Sequence, residues 1–361
     1  MRRLLGTGTV LLLVLTAACT ADEPGSAPPP GGPSASSTSA PASGGSPSAA
    51  SPSAAPSSPS ATPRSRPTPE PDPISMAALA ERRYDGRDLR VGRSLGDVGP
   101  YERFLVSYGG DGLTISGVMA VPEGKGPFPV LVLNHGYIDP RTYFPGQGMP
   151  REMDHLARQG YVVLHTDYRN HAGSDRDDDV DYELRLPYTV DTINAVLAVK
   201  SSKLRYLDGD RVGWLGRSMG GEVTLRALAA QPGLVDAAVV YASTSSLAAD
   251  NWAQFYRGDG DRAATNRKID RSYGLPQDSP DFWRAASARS AFDRVTEPVL
   301  VHHGTQDDTC PPRWARATVE ALEEEGVDVT LRMYEGEGHT FERQWQRSIE
   351  RSDAFFAEHL D

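Results

Sequence analysis

Six residues, Gly216-Arg217-Ser218-Met219-Gly220-Gly221, constrain the fold of this chain more than any others. They follow an apolar run, Val212 to Leu215, and precede a helix-prone run, Glu222 to Ala230. A serine on so tight a turn between strand and helix must hold strained backbone angles. Bulky neighbours would clash there with both elements, and flanking glycines relieve the crowding. The serine oxygen then projects from the carboxyl edge of a sheet. The helix that starts beside it aims N–H groups at developing negative charge.

The sequence around this turn supplies the sheet. Tyr101 to Tyr108 and Leu113 to Val121 are β-rich runs separated by Gly109-Gly110-Asp111-Gly112, which predicts an antiparallel hairpin. Pro129 to Asn134, Tyr161 to Thr166, Val235 to Ala242, Pro298 to His302 and Val327 to Tyr334 read as strands, mostly apolar as expected of strands buried on both faces. Helical spacing appears at Arg151 to Gln159, Val190 to Lys203, Arg313 to Glu325 and after Thr340. Strands alternating with helices predict an α/β domain, with a mostly parallel central sheet covered by helices on both faces. Residues 246–292 break the alternation: they hold helical pieces, no strand, and the aromatics Trp252, Phe255, Tyr256, Phe282 and Trp283. This insertion predicts a helical cap at the carboxyl edge, where open α/β sheets bind ligands. Most of its aromatics are expected to form the cap's own core.

A serine hydroxyl is a poor nucleophile near neutral pH. It needs a base in reach and an acid to orient that base. In a strand–elbow–helix fold the partners follow in the order serine, acid, histidine. His339 stands in the glycine-rich segment Glu335-Gly336-Glu337-Gly338-His339-Thr340-Phe341, directly after a predicted strand, and is the expected base. His302 and His303 close the preceding strand and read as structural, and His359 as solvated. After that strand come Asp307 and Asp308, and spacing alone does not choose between them. An oxyanion needs two donors. The N–H of Met219 is one. The loop Asn134-His135-Gly136-Tyr137 offers the N–H of Tyr137 as the other, with Gly136 allowing close approach.

These four segments together resemble the α/β-hydrolase superfamily, and more narrowly the catalytic domain of the prolyl oligopeptidase family of serine peptidases. The resemblance runs from about Tyr101 to His359. It implies an α/β-hydrolase fold and acyl transfer through a Ser218–His339–Asp307 triad, since the family's acid is the first aspartate of the pair. It favours peptide or other amide bonds in a peptide or small-molecule substrate. A carboxylesterase on small acyl esters and a non-catalytic surface binding protein are the alternatives. Larger family members carry a β-propeller ahead of the catalytic domain, and the residues before Tyr101 predict none. Cys310, two residues after Asp308, is expected to serve packing, with a place beside the triad as the alternative.

The start of the chain reads differently. Met1-Arg2-Arg3 supplies positive charge, and Leu4 to Leu15 an apolar stretch too short for a stable membrane span. Small residues then lead to Cys19, which is the order of a secretory signal. Ending on cysteine, residues 1–19 resemble a bacterial lipoprotein signal, which implies lipid attachment at Cys19, anchorage to a membrane and display outside it. An ordinary cleaved signal is the alternative. Residues 20–74 are almost entirely Pro, Ser, Ala, Gly and Thr, unable to bury enough apolar surface to offset chain entropy, and read as a tether. Residues 75–361 are the expected hydrolase domain.

A net charge of −11 argues against nucleic acid as a partner. The acidic run Asp175 to Glu183 lacks calcium-loop spacing and reads as a solvated loop. No zinc-ligand spacing or phosphate-binding glycine loop occurs, so no metal or cofactor is expected.

Overall fold

The computed structural model describes residues 70–360. The signal at 1–19, Cys19 and nearly all of the 20–74 tether lie outside the described residues. Nine strands form one sheet: β1 Arg87–Asp97, β2 Tyr101–Gly110, β3 Leu113–Pro122, β4 Phe128–Asn134, β5 Val162–Thr166, β6 Leu207–Arg217, β7 Ala237–Tyr241, β8 Val299–Gly304 and β9 Val329–Tyr334. Their spatial order is β1-β2-β3-β5-β4-β6-β7-β8-β9. The first part of the sheet pairs antiparallel, through β1–β2, β2–β3 and β3–β5. From β5 onward all neighbours are parallel.

The hairpin turns at Asp111 and Gly112, both with positive φ (56° and 75°), the two-residue turn whose twist matches paired strands. In the central strands successive side chains enter opposite cores, as the two-residue period requires. Val130 and Val132 of β4 enter one core, Leu131 and Leu133 the other. The first core lies against helices α1 (Met76–Glu81), α3 (Leu186–Lys200), α4 (Met219–Ala230) and α8 (Pro312–Glu324). The second lies against α2 (Pro150–Arg158) and α9 (Trp345–His359). This is the α/β-hydrolase architecture expected from the sequence. Strand β1 is not among the expected strands: it is a charged edge strand, exposed or half-exposed throughout, whose apolar Leu89, Val91 and Leu95 are only half-buried.

Between β7 and β8 the chain forms α5 (Ala248–Asn251), a π-turn at Trp252–Tyr256, α6 (Ala263–Tyr273), α7 (Pro280–Ala285) and short 3₁₀ turns. The aromatics here pack on one another, Trp252 against Tyr256 and Trp283 and Phe282 against Trp283, but not as a separate core. Trp252, Tyr256 and Trp283 join the main core, with Phe255 and Phe282 packed against it. The insertion is therefore seated firmly on the body of the domain.

Candidate active site

Strand β6 and helix α4 meet at Ser218, whose φ of 56° and ψ of −123° lie where a side chain is strained. Close packing dictates this geometry. A Cβ at Gly220 would lie 1.9 Å from the Asn134 carbonyl oxygen, and one at Gly216 would lie 2.2 Å from that of Gly220. The turn is pinned by the Ser218 N–H donating to the Tyr241 carbonyl at 2.9 Å. The Ser218 carbonyl in turn accepts from Gly221 at 2.9 Å and Thr244 at 3.2 Å.

His339 lies in the loop after β9, with Nε2 3.0 Å from Ser218 Oγ and Nδ1 2.9 Å from Asp307 Oδ2. Asp307 is buried, and its Oδ1 accepts the N–H groups of Thr309 (3.0 Å) and Cys310 (2.8 Å). One oxygen is thus fixed by backbone while the other faces the imidazole. Asp308, adjacent but exposed, accepts from the Thr309 hydroxyl at 3.3 Å. Three side chains far apart in sequence form one hydrogen-bonded relay.

The expected oxyanion donors flank the same point. A Cβ on Gly136 would sit 3.1 Å from Ser218 Cβ and 3.6 Å from its Oγ, so the Asn134–Tyr137 loop lies against the serine. Neither the Met219 nor the Tyr137 N–H donates to an acceptor within the described residues.

His302 and His303 are buried as expected, whereas His359 is not simply solvated. His302 is fully buried between the Tyr334 hydroxyl (2.8 Å) and the Ser352 hydroxyl (3.1 Å), and burial drives its pKa down to about 3. His303 is buried too, but its Nε2 lies 2.8 Å from the Cys310 carbonyl and 3.4 Å from Asp307 Oδ2, so it backs the acid as well as the core. His359 is half-buried against Phe355. Cys310 is fully buried, and burial pushes its thiol well above the usual range.

Several residues that build the site carry no signal in a sequence scan. Arg217 and Arg151 both donate to the Thr340 carbonyl, at 3.2 Å and 2.8 Å, and tie down the turn next to His339. The buried Glu337 carboxylate accepts the N–H groups of Glu342 and Gln344, which closes the same loop. Ser218 and His339 open onto a pocket of about 440 Å³, walled by Trp252, Phe255 and Tyr256 of the cap. Arg185, Glu222, Arg226 and Arg262 also line it. The spacing of Glu222 and Arg226, four apart just after the elbow, was the one available hint of a charged wall. The acidic run is not simply solvated: Asp175 accepts the Thr114 N–H, Asp177 pairs with buried Arg169, and Asp181 bridges Arg185 and Arg262. Among the described residues no cluster of histidine, cysteine or carboxylate is arranged to hold a metal ion.

Residues 148–361, which carry the elbow, the acid and the histidine loop, match the sequence model of the prolyl oligopeptidase family. The chain belongs to that family. It is a family of serine hydrolases, and its fold and ordered motifs are those found here. Two curated relatives are the uncharacterized peptidase YuxL of Bacillus subtilis (strain 168) and dipeptidyl aminopeptidase BIII of Pseudoxanthomonas mexicana. The first is 25% identical over 264 residues, covering 69% of this chain and 38% of the relative. The second is 27% identical over 232 residues, covering 61% and 32%. This family member thus matches about a third of the length of those relatives. Among solved structures, the acetyl xylan esterase of Paenibacillus sp. R4 aligns with a TM-score of 0.60 at 21% identity, over 79% of this chain and 92% of that one. The acylaminoacyl peptidase of Pyrococcus horikoshii aligns with a TM-score of 0.57 at 20% identity, over 73% and 42%. At such identities the likeness is one of fold.

Proposed function

We propose that this protein hydrolyses acyl substrates through a covalent acyl-enzyme, with Ser218 as nucleophile. The reading is carried by one observation: the Ser218–His339–Asp307 relay opens directly into a largely apolar pocket. As Ser218 Oγ attacks the substrate carbonyl, His339 Nε2 takes its proton. Asp307 holds the Nδ1 proton in place and stabilises the imidazolium that forms. The N–H groups of Met219 and Tyr137 receive the oxyanion, each donor contributing about 3 kcal/mol to the transition state. His339 then returns the proton to the leaving group. Water repeats the sequence to release the acid and restore the serine.

Peptide or other amide bonds are the preferred substrates. Family membership supports this, as do the two relatives named as peptidases. A second reading, ester hydrolysis, is favoured by the way the fold matches nearly the whole of an acetyl xylan esterase. Residues 1–19 support export and a lipid anchor at Cys19, with the hydrolase held outside a membrane.

A fluorophosphonate probe should label the protein at Ser218, as mapped by mass spectrometry. Ser218→Ala should abolish both labelling and turnover with the fold intact. Full labelling of that variant would refute the assignment. Rates on a p-nitrophenyl ester against peptidyl anilides separate the two bond types: ester turnover with no anilide cleavage favours the esterase.

A further inference from the structure

The pocket beside Ser218 holds a cation that the acyl-transfer chemistry does not use. Arg185 precedes α3 and is 7% exposed. It is delivered by two consecutive non-glycine residues in left-handed conformation, Leu184 (φ 50°) and Arg185 (φ 59°). Such angles cost about 1–3 kcal/mol each and persist only where surrounding packing enforces them. The planar guanidinium is held between two aromatic faces, its carbon 4.5 Å from the Tyr137 ring centroid and 4.8 Å from that of Tyr256. Its inner edge is tied, since Nε donates to Asp181 Oδ1 at 2.9 Å. Its outer edge is not. Among the described residues, Nη1 meets only the Met219 thioether sulfur at 3.6 Å, a weak acceptor, and Nη2 is buried with no hydrogen-bond partner. Met219 directly follows Ser218, and Arg185, Met219 and Ser218 line the same pocket.

The other cations of the wall each have a carboxylate at close range. Arg226 pairs with Glu222 at 2.5 Å, and Arg262 with Asp259 at 2.9 Å. Arg185 is left with Asp181, a carboxylate it shares with Arg262 at 3.2 Å. A buried guanidinium with both terminal NH₂ groups unmatched by oxygen is costly unless a ligand completes it. Two parallel N–H groups on one edge fit the two oxygens of a carboxylate. A neutral carbonyl would engage one of them and leave the charge only half compensated.

We infer that Arg185 is a specificity residue that binds a carboxylate carried on the acyl part of the substrate. This rests on the acyl-enzyme reading above and narrows it. Two sources supply that chemistry: an aspartyl or glutamyl residue on the acyl side of a peptide bond, and the free carboxylate of a dicarboxylic half-ester.

The test compares isosteres. The p-nitrophenyl half-ester of glutaric acid is set against p-nitrophenyl glutaramate, and peptidyl anilides ending in Glu against those ending in Gln. One charge-assisted contact predicts kcat/KM higher for the acid by about tenfold or more in at least one series. The series that shows it identifies the source. In Arg185→Met that acid-to-amide ratio should fall by about the same factor, and Arg185→Lys, which keeps the charge without the fork, should fall between. A ratio near one in the wild type, or an unaltered ratio in Arg185→Met, overturns the inference. Should Arg185→Met fail to fold, the wild type decides: glutarate should slow fluorophosphonate labelling of Ser218 and glutaramide should not, and equal protection overturns the inference. Absence of wild-type labelling would instead sink the acyl-enzyme reading. Labelling without acid preference sinks only the role of Arg185.

Discussion

Asp307 and Asp308 are neighbours in sequence with opposite expected fates. Asp307→Asn keeps shape and volume but removes the charge 2.9 Å from His339 Nδ1. In the transition state that imidazole becomes cationic. At a charge separation of about 4 Å and an effective dielectric of about 20, the lost attraction is about 4 kcal/mol. That is about a thousandfold in rate. The hydrogen-bond pattern adds a second loss. The N–H groups of Thr309 and Cys310 require an oxygen at Oδ1, so the new amide turns its NH₂ toward His339. Nδ1 must then accept, the ring proton moves to Nε2, and His339 donates to Ser218 instead of receiving from it. The combined loss should reach about 10³- to 10⁴-fold in kcat/KM. Asp308→Asn, at an exposed site, should stay within about twofold. Both variants are assayed on a p-nitrophenyl ester, with thermal melts to confirm folding. The reasoning fails if Asp307→Asn retains more than about a tenth of wild-type turnover, or if Asp308→Asn suffers the larger loss.

Two further outcomes concern stability. His302, buried, has its pKa pushed down to about 3, below the unfolded value of about 6.5. The unfolded chain therefore binds the extra proton, and the stability this neutral imidazole contributes is full above pH 6.5 and lost as pH falls below it. Between pH 7 and pH 5 that loss should be about 2 kcal/mol, read by urea unfolding at the two values. In His302→Gln, which cannot titrate, the pH-dependent loss should shrink by that amount, and an equal loss in both proteins contradicts the account. Gly220→Ala drives a Cβ against the backbone oxygens of Asn134 and His135, at 1.9 Å and 2.6 Å, which no side-chain motion relieves. A cost of about 3 kcal/mol or more should lower Tm by at least about 6 °C, and a Tm within about 2 °C of wild type would show that the elbow yields more easily than its packing implies.

Much of the architecture was legible because its signals are local. Buried strands such as Val130–Leu133 announce themselves by unbroken apolarity, and the elbow by its glycines. The strand β1 was not legible, because its apolar Leu89, Val91 and Leu95 are a weak signal among charged residues and it is stabilised by its pairing with β2. The cap aromatics were legible only in part, for a related reason. Composition shows that they are buried, but not that Trp252 and Trp283 enter the main core.

The site divides the same way. Ser218 and His339 were legible from turn chemistry and chain order, which are written in contiguous residues. Asp307 and Asp308 were indistinguishable by spacing, since both are carboxylates on one loop. What separates them is which carboxylate the Thr309 and Cys310 amides hold facing an imidazole 32 residues away. Arg185 shows the limit most clearly. In sequence it is one arginine beside an acidic run. It becomes an unsatisfied cation in a pocket because Tyr137, Asp181, Met219 and Tyr256, drawn from four separate segments, surround it with two rings, one carboxylate and one sulfur. Backbone propensity and turn geometry depend on adjacent residues and can be read along the chain. Desolvation and charge pairing depend on what packing brings together, and exist only once the chain has folded.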